Sequence, residues 1–271
     1  MSRGRPCVLY AVMTSWVPPS IEDILLVMTA DRSGTTTWAT GPGEGDTAGR
    51  ADLAERPLER VGVFPSVLCA AERSANGQAA RRYARVLAGP DGAVEFVPSG
   101  RLTRHGHRAL QDRCEGYDVL VLGAGAGAYS AVEHARIPVL IARRGALGAR
   151  LIDTILVAVD GSPESSRAVE VAGRLAAAHG AAVRILSAFR RDPALDRAVA
   201  ATARVLVGMT GTTPRVVGGR ARSDLAIPAA ASAVKATLVV VGVGCGAVAR
   251  AATATTAGSI GCSVLAVPAF S

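Results

Sequence analysis

At 271 residues the chain is long enough for two ordinary domains. Its 49% apolar and 19% charged residues exclude a wholly disordered protein, and with only 4% aromatics the core must be built from Val, Leu, Ile and Ala. The net charge of +8 comes from scattered arginines, such as Arg81–Arg82, Arg143–Arg144 and Arg190–Arg191, with Lys235 the single lysine; no basic cluster stands out, so no nucleic-acid partner is expected.

Near the N-terminus, Arg3 and Arg5 precede an apolar stretch broken by Thr14, Ser15, Pro18 and Pro19, which argues against a secretory signal. Two short apolar runs, Val8–Val12 and Ile24–Met28, remain unassigned. The region from Arg32 to Arg60 is rich in Gly, Thr and alternating charge with little to bury, and reads as a linker. Residues 1–60 are therefore expected to be a poorly defined segment, followed by domains at 61–148 and 149–271.

From Val67 an aliphatic run leads through Glu72-Arg73-Ser74 into a helix carrying Ala80, Ala84 and Leu87-Ala88. Val119–Leu122 and Ile137–Ala142 read as further strands. Beyond Leu151 the alternation becomes regular. Ile155–Val159 is a strand ending in Asp160-Gly161-Ser162-Pro163, where Ser162 is a good helix cap and Pro163 suits the first helical position. A helix follows, with Ala168, Val171, Ala172, Leu175 and Ala176 on one face. Ala182–Leu186, Arg215–Val217, Leu238–Val241 and Ser263–Val267 are strands, separated by helices over Asp192–Val207, about Asp224–Lys235 and Ala251–Ser259. Strands buried on both faces and alternating with amphipathic helices imply an α/β fold, a doubly wound and mostly parallel five-stranded sheet. The uncharged stretch 251–271 is rich in Thr, Ser and Gly and contains Pro268, so no membrane span is expected there.

The two halves repeat. Val67–Ser74 and its helix align without a gap on Ile155–Ser162 and its helix, and Val119–Gly125 aligns on Leu238–Gly244. Glu72 to Gly123 is 51 positions and Asp160 to Gly242 is 82, so the first copy lacks 31 residues, about one strand and one helix.

The run Thr154–Ala168, with Leu238–Gly242 and the ending Cys262–Pro268, resembles the universal stress protein family, over residues 153–269 and more faintly 66–143. The resemblance implies two tandem copies of an adenine nucleotide α-hydrolase-like sheet, the first truncated, in a stress-response regulator without catalytic residues. It implies an adenine nucleotide, ATP or AMP, across the carboxyl ends of the strands, with Asp160, Gly161 and Ser162 beside the adenosine. It implies phosphates against a glycine loop of the form Gly-x-x-Gly followed further on by Gly-Ser, and dimerisation with a second copy through the last strand. Here the loop departs from that form: from Gly242 the second glycine position is Cys245 and the third Thr255. Counting back from Cys262-Ser263 puts Arg250-Ala251 at the Gly-Ser position, in a shortened loop. Gly242, Gly244, Gly246 and Arg250 are the phosphate-side candidates.

Two other readings stay open. Gly123-Ala124-Gly125-Ala126-Gly127-Ala128 after a strand fits a dinucleotide fingerprint, which would make the chain an NAD(P)- or FAD-dependent oxidoreductase, with Arg143 and Arg144 suited to a 2′-phosphate. The alternative is a structural interaction protein in which the two eroded copies pair their sheets and the crevice stays empty. No metal is expected: His105 and His107 are flanked by Arg104 and Arg108, and His134 and His179 stand alone. Five cysteines (Cys7, Cys69, Cys114, Cys245, Cys262) without C-x-x-C spacing point to a reducing cytoplasm.

Overall fold

Each aliphatic run singled out between Val67 and Val267 is a strand in the computed structural model of the chain, which describes residues 62–99, 111–144, 150–188, 193–219, 223–244 and 257–268. The first half contributes β1 (Ser66–Ala70), α1 (Ala75–Ala88), β2 (Ala93–Val97), β3 (Val119–Gly123), α2 (Ala126–His134) and β4 (Val139–Ala142). The second contributes β5 (Thr154–Val159), α3 (Pro163–His179), β6 (Ala182–Ala188), α4 (Pro193–Thr210), β7 (Arg215–Gly219), α5 (Ser223–Ala233), β8 (Leu238–Val243) and β9 (Ser263–Pro268). Of the final helix expected over Ala251–Ser259, residues 257–259 form a helical turn and 251–256 lie outside the described residues. Residues 1–60, with Val8–Val12 and Ile24–Met28, lie outside them too.

The strands form one nine-stranded sheet in the order β2-β1-β3-β4-β9-β8-β5-β6-β7, so the two halves are not separate five-stranded sheets. All neighbours are parallel except β4 and β9, which pair antiparallel with Leu140 opposite Leu265. Four strands come from the first half and five from the second. Among the described residues the first half has no counterpart of β7, which agrees with the shorter spacing between Glu72 and Gly123. β2 was not foreseen; it is a sheet-edge strand whose Ala93, Glu95 and Phe96 are exposed.

Alternate residues of each inner strand face opposite layers. One layer joins Val67, Val121, Ile155, Val157 and Val240 to α1, α3 and Leu206 of α4; the other joins Leu68, Leu120, Leu156, Val239 and Val264 to α2 and α5. Leu120, Leu140, Ile155 and Leu156 are wholly buried, each contributing about 1.5–3 kcal/mol of apolar transfer. Helices cover both faces, as parallel strands apolar on both sides require.

The halves meet through the β4–β9 ladder and through side chains. Tyr83 of α1 is completely buried, and its hydroxyl donates to the carbonyls of Leu151 (2.9 Å) and Thr237 (3.3 Å) in the second half. Burial pushes this phenol up to about 12, although Ser263 opposes the shift. Arg143, just after β4, donates from Nη2 to the hydroxyl of Tyr129 (2.6 Å) and the carbonyl of Gly258 (2.8 Å), while its backbone N–H donates to Ser263 Oγ (3.1 Å).

The last strand, through which a dimer with a second copy was expected, is engaged within the chain. β9 is hydrogen-bonded to β8 on one side and to β4 on the other, and a strand has only two edges. The edge assigned to a second copy is filled by the chain's own first half.

Candidate functional site

The site grows from the ends of β5 and β8. These strands are parallel neighbours, with Val157 opposite Val240; continuing that register brings Asp160 level with Val243. Asp160-Gly161-Ser162 thus leaves the sheet beside Gly242 and Val243, the last residues of β8, with Gly244 following, at the carboxyl ends where open α/β sheets place their ligands.

Sequence chemistry sets the first wall. Gly161 has φ +81°, a left-handed value that a side chain would strain. The turn lets Asp160 Oδ1 accept the N–H of Ser162 at 2.9 Å, and Ser162 Oγ accept the N–H of Ser165 at 3.1 Å as the cap of α3. The hydroxyls of Ser165 and Ser166 donate back to the Ser162 carbonyl at 2.9 and 3.1 Å. Pro163 opens the helix and Glu164 lies in its first turn, where a negative charge suits the helix dipole. Burial works to raise the Asp160 carboxyl, but hydrogen bonds from Ser162 and Ser165 outweigh it and the group ends below the usual carboxylate range. Asp160 remains an exposed anion at the rim.

The second wall is held by a missing side chain. A Cβ on Gly242 would stand 2.6 Å from the Glu164 carbonyl carbon and 2.7 Å from the Glu164 oxygen and Ser165 nitrogen. Gly242 therefore lets the end of β8 press onto the first turn of α3. Sequence reasoning placed it on the phosphate side; its closest neighbours are backbone atoms of this helix. Gly244 follows β8, half-buried, and Ala198 of α4 lies 3.6 Å from where a Cβ on Gly161 would be. Gly246 and Arg250 lie outside the described residues, as do Cys245 and Thr255.

The first half repeats this arrangement with different chemistry. Ser74 Oγ accepts the N–H of Gly77 at 3.1 Å, and Glu72, at the Asp160 position, accepts the Ser99 hydroxyl at 2.6 Å. A Cβ on Gly123 would stand 2.8 Å from Gly77 nitrogen, the counterpart of the Gly242 contact. Asn76 bridges the strand ends: its Nδ2 donates to the Ala124 carbonyl (2.8 Å) and its Oδ1 accepts the N–H of Arg144 (3.0 Å). β3, α2 and β4 do form the strand-helix-strand unit of a dinucleotide fold, yet of the two arginines suited to a 2′-phosphate, Arg143 is turned onto Tyr129 and Gly258. Asn76 and Arg143 were missed as organising residues; an Asn just inside a capped helix was the available signal for the first, and nothing local pointed to the second.

Other reactive groups stand apart. Burial raises the thiols of Cys69, Cys114 and Cys262 to about 11, the Arg81 and Arg143 charges opposing it at Cys69 and Cys262. His134 Nδ1 lies 2.8 Å from the Ser130 carbonyl, and His105 and His107 fall outside the described residues. Among the described residues no three His, Cys, Asp or Glu side chains converge as metal ligands, and no helix is long and apolar enough to cross a membrane.

A doubly wound, mostly parallel sheet whose second half sets the ends of its first and fourth strands side by side defines a class of α/β proteins. Within that class, residues 152–206, from the approach to β5 into α4, match the model of the universal stress protein family. Among solved structures, a universal stress protein from Archaeoglobus fulgidus is 19% identical, over 70% of this chain and 75% of that one, with a TM-score of 0.49. A universal stress protein in complex with cAMP is 25% identical over 44% of this chain and 98% of its own, with a TM-score of 0.37. A protein of the same family from Burkholderia pseudomallei is 25% identical over 45% of this chain and all of its own, with a TM-score of 0.34. No curated protein sequence matches the chain.

Proposed function

We propose that this chain is a cytoplasmic, non-enzymatic regulator of a stress response whose second half binds an adenine nucleotide between Asp160–Ser162 and Gly242–Gly244. The observation that carries the reading is the parallel adjacency of β5 and β8, which sets an exposed, readily ionised carboxylate beside a glycine-lined strand end. Asp160 would accept hydrogens from adenine or ribose hydroxyls, and the backbone N–H groups after Gly242, with Arg250, would meet the phosphates. The first half serves as a structural partner, taking at β9 the place otherwise left to a second copy.

A second reading, a structural protein with no ligand, is favoured by one observation: Asp160 and Gly242 already have structural employment, the first in a capped turn and the second against α3. Isothermal titration of the full chain with ATP, AMP and cAMP, alongside NADPH, separates the readings. The nucleotide reading expects saturable binding of an adenine nucleotide and none of NADPH. Tight NADPH binding would overturn it in favour of the oxidoreductase, and silence with all four would favour the structural role.

A further inference from the structure

We draw no further inference here: the strongest candidate, the exposed apolar side chains of the edge strand β7 (Val216) and of α4 (Val205 and Val207), carries nothing because nothing in the structure shows what covers them.

Discussion

Replacing Gly242 by alanine adds one methyl group where the end of β8 meets α3. The new carbon would begin 2.6 Å from the Glu164 carbonyl carbon, whereas ordinary contact starts at 3.4 Å, so strand and helix must part by the difference, 0.8 Å. The obstacles are backbone atoms of a capped helix, which cannot rotate away as a side-chain tip can. Overpacking of this kind costs about 1–3 kcal/mol. In a fold of this size each kcal/mol lowers the midpoint by about 2–4 °C, so the variant should melt roughly 2–12 °C below wild type. Gly208→Ala is the control: it lies within α4, a Cβ there would meet nothing within 4 Å, and trading a helical glycine for alanine should stabilise by about 0.4–1 kcal/mol. Thermal and urea unfolding followed by far-ultraviolet circular dichroism measure both. A Gly242→Ala protein as stable as wild type would refute the close approach of β8 to α3.

Three further outcomes follow from other contacts. Tyr83→Phe keeps the ring but removes the donor to Leu151 and Thr237, so urea titration should show a loss of about 1–2 kcal/mol; no change would mean the tie across the seam contributes nothing. Because the folded carboxyl of Asp160 is lowered, its contribution is present above the unfolded carboxylate pKa and is lost as pH falls through the folded value. Asp160→Asn should therefore be less stable than wild type near neutrality, with the two converging in acid, and a gap that persists or widens there would contradict the assigned hydrogen bonds. A fragment from residue 149 onward would uncover the β9 edge now paired with β4, so it should self-associate in sedimentation velocity; a strictly monomeric fragment would show that the open edge alone does not drive pairing.

Much of the fold could be read from the chain because local signals agreed. Runs such as Ile155–Val159 and Leu238–Val241 are aliphatic at every position, which suits only a strand covered on both faces. The Ser162-Pro163 pair marked a helix start that the structure places at that point. β2 escaped notice because Ala-Val-Glu-Phe-Val is short, interrupted by a charge, and lies at an edge where burial imposes little pattern. Pairing of the two copies' sheets was among the readings, but the direction and register of the β4–β9 ladder were invisible: two strands far apart in the chain, each apolar throughout, carry no mark of how they will meet. At the site, the sequence spacing identified Asp160 and Gly242 as strand-end residues and the family resemblance set them on neighbouring parallel strands, as the β5–β8 register has them. A glycine looks the same in sequence whether it admits a phosphate or a neighbouring helix, so the pressure of Glu164 and Ser165 on Gly242 could not be anticipated.

The direction of the β4–β9 ladder decides how the molecule meets its surroundings. With β4 and β9 running oppositely, the strands of one half finish on the margin where those of the other begin. Whatever docks beside Asp160 approaches one rim of a single plate, while Glu72, Ser99 and Asn76 look out from the opposite rim. A ligand bound beside Asp160 would therefore leave the Glu72 end of the sheet untouched.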